Sequence, residues 1–426
     1  MSITERRFIM KNRRMRLVLT AALLVFVMLA GTVGCTLRAS AESLMDGVTP
    51  NEVRALGDLS SGNAAVTDFA VRLFAGSFNA DANTLISPLS VLSALAMTAN
   101  GAEGETLSQM EEVFGMTREE LNLYLYSYIG SLPAAQKYRV SLANSIWFKE
   151  DDKFGVSYDF LQKNADYLGA DIYKAPFDGT TLRDINKWVK HNTDGMIPKI
   201  VDNIPDEAVM YLVNALAFEA EWTKIYKDDE VRERTFTTED GKERSVEMMY
   251  CSEGRYLSDE LATGFIKYYS GQKYAFVALL PNEGVTVGEY IASLDGESLQ
   301  NMLANPELVT VTTAIPKFDV EYDIEMSGVL ESLGMSSAFD KNSADFSSLG
   351  VHEDGNIWIS RVIHKTYISV SERGTKAGAA TSVGMEAESE DPSEIKKVYL
   401  DRPFVYMLID CENNIPFFIG ALMDTK

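Results

Sequence analysis

Glu372-Arg373-Gly374-Thr375-Lys376-Ala377-Gly378-Ala379-Ala380-Thr381-Ser382-Val383-Gly384 is the stretch on which the reading of this chain turns. It follows an apolar run ending at Val370 and is built of Ala, Gly, Thr and Ser with no bulky aromatic. It leads into an acidic continuation, Met385-Glu386-Ala387-Glu388-Ser389-Glu390-Asp391-Pro392-Ser393. About thirty residues thus separate Val370 from the next apolar run at Phe404, and segments of that length inside a compact domain are functional or disordered. A floppy surface loop is the bland account. The physical alternative is sharper: small side chains slide between two strands without clash, and their backbones can complete a β-ladder, so such a segment gains main-chain hydrogen bonds by strand addition.

Working outward, the apolar runs on either side, Thr366 to Val370, Phe404 to Ile409 and Ile415 to Leu422, read as strands. Val209 to Phe218 and Tyr274 to Leu280 are apolar runs, the pattern of strands buried on both faces. Val309 to Ile315 is rich in β-branched residues, and Ser141 to Phe148 is a further strand. The first half reads differently. Val66, Phe69, Ala70, Leu73 and Phe74 fall at helical spacing within Asn63 to Phe78. Ser87-Pro88 signals a helix start, with serine as cap and proline at the first helical position. Thr106 to Phe114, Glu119 to Ile129 and Asp184 to Asn192 are amphipathic helices. Helices crowding the first half and strands the second predict an α+β fold rather than alternating βαβ units. With no internal repeat and no linker between residues 63 and 423, one large domain is expected.

Composition supports a large core: 46% of the 426 residues are hydrophobic and 10% aromatic. The net charge is −23. Residues 1–34 carry six basic side chains and one acid, so the remainder stands at −28. Such a body repels nucleic acid and anionic membrane surfaces. The three cysteines, Cys35, Cys251 and Cys411, form no CxxC pair, and the three histidines, His191, His352 and His364, have no metal-binding spacing. No nucleophile elbow, phosphate loop or dinucleotide fingerprint occurs. No cofactor, no metal and no catalytic residue is expected, and the chain reads as a non-enzyme.

At the front, a basic stretch from Arg6 to Arg16 precedes fourteen apolar residues, Leu17 to Ala30. A membrane span needs about 20; the run fits the apolar region of a secretory signal. Thr32-Val33-Gly34-Cys35 resembles a bacterial lipoprotein box, with residues 1–34 removed and Cys35 lipidated. Cleavage after Ala39-Ser40-Ala41 and an uncleaved anchor helix are the alternatives. Each places the body outside the cytoplasm, and the membrane enters only through a lipid anchor. Residues 35–62 read as a tether.

The bait-like stretch resembles the hinge of an inhibitory serpin. Other segments resemble the same family in order along the chain: Asn83-Thr84-Leu85-Ile86-Ser87-Pro88-Leu89-Ser90, Gly101-Ala102-Glu103-Gly104-Glu105-Thr106, Val213-Asn214-Ala215 with Phe218 and Trp222, Ile315-Pro316-Lys317-Phe318 as a main-sheet strand, Val362-Ile363-His364-Lys365, Asp401-Arg402-Pro403-Phe404 and Pro416-Phe417-Phe418-Ile419-Gly420. Together they span residues 63 to 423. The resemblance implies three β-sheets with about eight or nine helices and an exposed reactive-centre loop over residues 372–398, all within one domain, 63–426. It implies a monomer that traps an endopeptidase: the enzyme cuts the loop, the cut loop inserts in the central sheet, and the acyl-enzyme is caught.

By the same resemblance Glu372, Gly374, Thr375, Ala377, Gly378, Ala379, Ala380 and Thr381 form the hinge. Ser87, Ser90, Asn214 and His364 form a polar cluster, the shutter, beneath the main sheet. Trp222 and Lys317 mark the point where the loop first enters, the breach, with Glu372 beside Lys317. Family spacing counted forward from Gly374 gives Glu388-Ser389 as the reactive bond. Counting back from Pro403 gives Pro392-Ser393, because the loop is longer than in typical relatives, and Met385, Glu386 and Ala387 are alternatives. No Arg or Lys lies within 385–393, so the expected partner is elastase-like, glutamate-preferring or subtilisin-like rather than trypsin-like; cysteine proteases also fit. The rival readings are a non-inhibitory serpin acting as a carrier and an exported protein of another fold.

Overall fold

The computed structural model describes residues 41–204, 208–353, 355–375 and 395–426. Seven strands form the main sheet: β1 (Glu42–Ser43), β2 (Tyr138–Lys149), β3 (Asp171–Ala175), β4 (Met210–Glu221), β5 (Phe318–Glu325), β6 (Arg361–Ser371) and β7 (Gly374–Thr375), in the spatial order β1-β3-β2-β4-β7-β6-β5. A six-stranded sheet holds Phe404–Asp410 and Ile415–Leu422 at its centre, and a four-stranded sheet contains Val311–Pro316 and Lys396–Tyr399. Ten α-helices occur among the described residues, against the eight or nine expected. The α+β class and the three large sheets agree with the sequence reading.

α1 (Ser60–Ser77) and α2 (Pro88–Ala99) follow the expected apolar periods. Every residue of α2 is buried, the state of a helix that is apolar all round. It packs against β2, β4 and Ile415–Leu422, between the two larger sheets. Ser87 caps it, its Oγ accepting from Ser90 N at 3.4 Å. The helix Gly179–Asn192 covers the outer face of the main sheet with Ile185, Trp188 and Val189 against Trp147, Tyr211 and Val213. β4 is therefore buried on both faces, as its apolar run predicted.

Two expectations need correcting. Residues 41–59, read within the tether, lie on the body. Glu42 and Ser43 pair with β3, Asn51 N donates to Asp166 Oδ1 at 2.7 Å, and Leu56 N donates to Ser127 Oγ at 2.8 Å. Leu44, Met45, Val48 and Leu59 pack on the core. These apolar residues sit at irregular intervals, so no periodicity announces them. Second, Ile315-Pro316-Lys317-Phe318 is not one main-sheet strand. Val311–Pro316 belongs to the four-stranded sheet, Lys317 is the crossing point, and the main sheet begins at Phe318. β5 is an edge strand. Its exposed positions carry Asp319, Glu321, Asp323 and Glu325, charges that discourage edge-to-edge pairing.

Candidate functional site

The site is the seam between β4 and β6. At its lower end the two strands pair in parallel, from Tyr211↔Arg361 to Asn214↔His364. At its upper end β7 stands between them: Thr375 pairs with Ala220 on one side and Val370 on the other, and Gly374 with Glu221 and Ser371. Gly374 has φ +147°, and a Cβ there would lie 2.0 Å from Ala220 O, so only glycine turns the chain into this slot.

Under the lower end, the four residues expected to cluster are brought together by α2, β4 and β6. Ser87 N donates to His364 Nε2 at 3.0 Å, which leaves the proton on Nδ1, and Nδ1 donates to Asn214 Oδ1 at 2.8 Å. Ser90 Oγ donates to the same oxygen at 3.1 Å. Burial alone pushes His364 down to about 3, so the ring is neutral. Two polar atoms here lack partners: Asn214 Nδ2 and Asn144 Oδ1, on residues directly opposed across β2 and β4. Thr366, not singled out from sequence, adds a tie from Oγ1 to Leu85 O at 2.7 Å.

A prediction follows from this cluster. His364→Ala orphans Ser87 N–H and Asn214 Oδ1, at about 1–3 kcal/mol per group, and the thermal transition should fall. His364 binds a proton in the unfolded chain near pH 6.5 but in the folded chain only near 3. Its contribution is therefore fully present above 6.5 and is lost as pH falls toward 3, at up to about 1.4 kcal/mol per pH unit. Melting curves across that window should show a shallower acid slope in the variant; an identical slope would remove His364 from the account.

At the upper end, Trp222 Nε1 donates to Ser371 O at 2.8 Å, and its backbone N–H to Arg373 O at 2.9 Å. Its ring stacks on Tyr269 at 4.3 Å. Tyr269 Oη in turn lies 2.5 Å from Thr375 Oγ1, with burial raising the phenol's pKa. Lys317 Nζ meets Glu372 at 3.0 Å and Glu247 at 3.1 Å. Beneath Trp222, the buried Lys267 Nζ lies 5.2 Å from the indole centroid and 2.8 Å from Glu253. Burial alone would lower this ammonium; the Glu253 carboxylate holds it raised. Tyr269, Lys267 and Glu253 were missed because nothing in their local sequence marks them: Lys267 and Tyr269 sit at the end of one strand, Glu253 ends a strand of another sheet, and the fold alone brings them under Trp222.

Lys317 and Glu372 are partly exposed, so breaking that pair should cost no more than about 1 kcal/mol. Glu253→Gln is a different case. It strands a buried ammonium and should cost about 3 kcal/mol, read as a clear drop in the thermal transition beside a small drop for Lys317→Ala.

Ala377, Gly378, Ala379, Ala380 and Thr381 of the hinge lie outside the described residues. So do the bonds at Met385, Glu386, Ala387, Glu388-Ser389 and Pro392-Ser393, and Cys35. Cys251 and Cys411 are free thiols. Among the described residues no cluster of His, Cys, Asp and Glu could hold a metal.

The sequence profile of the family described as "Serpin (serine protease inhibitor)" matches residues 64–425. A serpin-like protein of Methanosarcina acetivorans is 31% identical over 86% of each chain. The native-state structure of a thermophilic serpin, tengpin, is 47% identical, covers 90% of this chain and 100% of its own, and superposes with a TM-score of 0.87. Human thyroxine-binding globulin in complex with thyroxine shares the fold at 22% identity, with a TM-score of 0.76 over 86% of this chain and 99% of its own. With the profile covering most of its length and the hinge strand docked at the head of the seam, the chain belongs to the serpin family.

Proposed function

We propose that this chain is a suicide inhibitor of serine endopeptidases, with cysteine proteases as a secondary class. The observation that carries the reading is β7: the hinge already sits in register between β4 and β6. Extending both registers by simple counting brings Thr381 opposite Asn214 and His364 at once, and Met385 opposite Met210 at the foot of β4. With Thr375 facing the core, the inward residues become Thr375, Ala377, Ala379, Thr381, Val383 and Met385. None is charged, and Lys376 falls on the outward face. Thr381 would also offer an acceptor to Asn214 Nδ2, which has none in the native state. Insertion after cleavage thus fills a slot that fits its contents, and strand addition supplies the driving force.

The protease forms its acyl-enzyme on the cut loop. Insertion carries it from the head of the seam toward the foot, and distortion of its active site blocks deacylation. We place the reactive bond at Glu388-Ser389 and the targets among glutamate-preferring, elastase-like and subtilisin-like enzymes. The basic and apolar leader supports export, with lipid attachment at Cys35. A carrier role, as the name of thyroxine-binding globulin states for that protein, predicts no covalent product.

The test is a denaturing gel of the chain mixed with a panel of these proteases and trypsin. A band that survives boiling near the summed masses, absent with trypsin, is expected, and sequencing the released C-terminal peptide locates the bond. Clean cleavage without such a band across the panel refutes inhibition.

A further inference from the structure

The foot of the seam holds a cavity that loop insertion does not use. It has a volume of about 220 Å³ and is walled by Phe148, Phe154, Val209 and Trp358, with Asp151 and His352 among its polar lining. Phe154 meets Phe148 edge-on at 5.1 Å and lies against the His352 ring at 6.3 Å. His352 Nε2 is 3.2 Å from Asp151 Oδ2, which fixes the carboxylate at the cavity.

The walls belong to both sides of the seam. Phe148 ends β2 and Val209 precedes β4, whereas Trp358 lies on the segment leading into β6. One hydrogen bond joins the two sides just there, from Val209 N to Ser360 Oγ at 3.2 Å. Any parting of β4 from β6 that reaches the foot must separate Trp358 from Val209 and so dismantle the cavity. An apolar cavity of about 150 Å³ is large enough for benzene, so this one accommodates a bicyclic ring. The aromatic walls suit a ring by edge and face contacts, and the partly exposed Asp151 carboxylate at the rim, beside Lys149, His352 and Asn356, can take a single donor.

We propose that this cavity is a binding site for a small neutral aromatic with one N–H or O–H donor, of the size of indole, its ring among Phe148, Phe154 and Trp358 and its donor on Asp151, and that an occupant staples β4 to β6 and slows opening of the sheet. The second half rests on the insertion reading above; the first does not. A ligand that binds the closed seam and not the parted one stabilises the closed state by its differential affinity alone.

The test uses indole as the probe, with benzene as the analogue lacking a donor, and the full exported chain. Calorimetry should give one site, with benzene bound about tenfold more weakly because the donor contact is missing. Asp151→Asn, at an exposed position, keeps the cavity's shape and should narrow the gap between indole and benzene. Val209→Phe should abolish binding of both by filling the space. The insertion rate is read as the appearance of a heat-resistant form after nicking the loop, and saturating indole should slow it several-fold in the parent chain but not in Val209→Phe. No binding at millimolar indole, or binding indifferent to both variants, overturns the site. Binding with an unchanged insertion rate overturns the staple. Normal binding in a chain that never forms the heat-resistant form sinks the insertion reading and the staple together while upholding the site.

Discussion

Thr375→Arg is expected to convert the chain from an inhibitor into a substrate. Thr375 is 1% exposed, wedged between Ala220 and Val370, with its hydroxyl on Tyr269. An arginine there must bury five N–H donors beneath Trp222 and Tyr269, where one hydroxyl is the acceptor at hand. Burying a charge without partners is costly enough that the side chain will stay out. The hinge then starts insertion from outside the sheet while deacylation proceeds at its own rate. Each 1.4 kcal/mol added to the insertion barrier slows it tenfold; a penalty of about 3 kcal/mol therefore shifts the partition about a hundredfold toward release. The measurement is the number of inhibitor molecules consumed per enzyme inactivated, alongside the boiling-resistant band. Cleavage at the parent rate with no band is the expected result; an unchanged stoichiometry would falsify the assignment of Thr375 as the leading residue.

Nicking the loop with a non-target protease is expected to raise the thermal transition by about 10 °C. Counting from Lys376 opposite Glu219 to Met385 opposite Met210, ten further residues enter beside β4, and those up to Gly384 also stand opposite β6. At a net value of about 1 kcal/mol per hydrogen bond, the new ladder contributes on the order of 10 kcal/mol, less what is lost in breaking the Tyr211–Asn214 pairing with Arg361–His364. The intact form is thus held by a barrier rather than by its depth in free energy. Circular dichroism melts before and after nicking decide the matter. Coincident curves would mean that the described state is already the most stable one and that no stored strain drives trapping.

The elements legible in sequence were those with a strong period or an apolar run: α1, α2, β4 and the strands at 404–409 and 415–422. Among the unannounced strands, Glu243–Glu253 alternates irregularly, while Phe318–Glu325 alternates apolar and acidic residues without a break, the pattern of a half-buried strand. At the site, Ser87 was visible because a cap and a proline mark the helix start, and Ser90 entered through resemblance. His364 and Asn214 were visible through resemblance alone, since nothing in their spacing sets them face to face; only the parallel register of β4 and β6 does that. Tyr269 and the Lys267–Glu253 pair had no local signature. Their roles come from crossings of separate sheets beneath Trp222, a property of tertiary packing.

The two docked residues, Gly374 and Thr375, have a bearing on how long such a molecule lasts. Growth of an ordered segment is hardest at its first contacts and easier at each later one. Here the nucleus exists before any enzyme arrives, and the remaining restraints are the β4–β6 pairing from Tyr211 to Asn214 and a far end still joined at Lys396. On the insertion reading proposed above, an uncut loop will occasionally thread itself in, and that molecule is spent without having met a protease. The rate of this ageing should climb steeply with warmth, as barrier-limited openings do, about three- to sixfold per 10 °C. The protein is then a reagent with a shelf life, and the organism must replace it by the clock as well as by consumption.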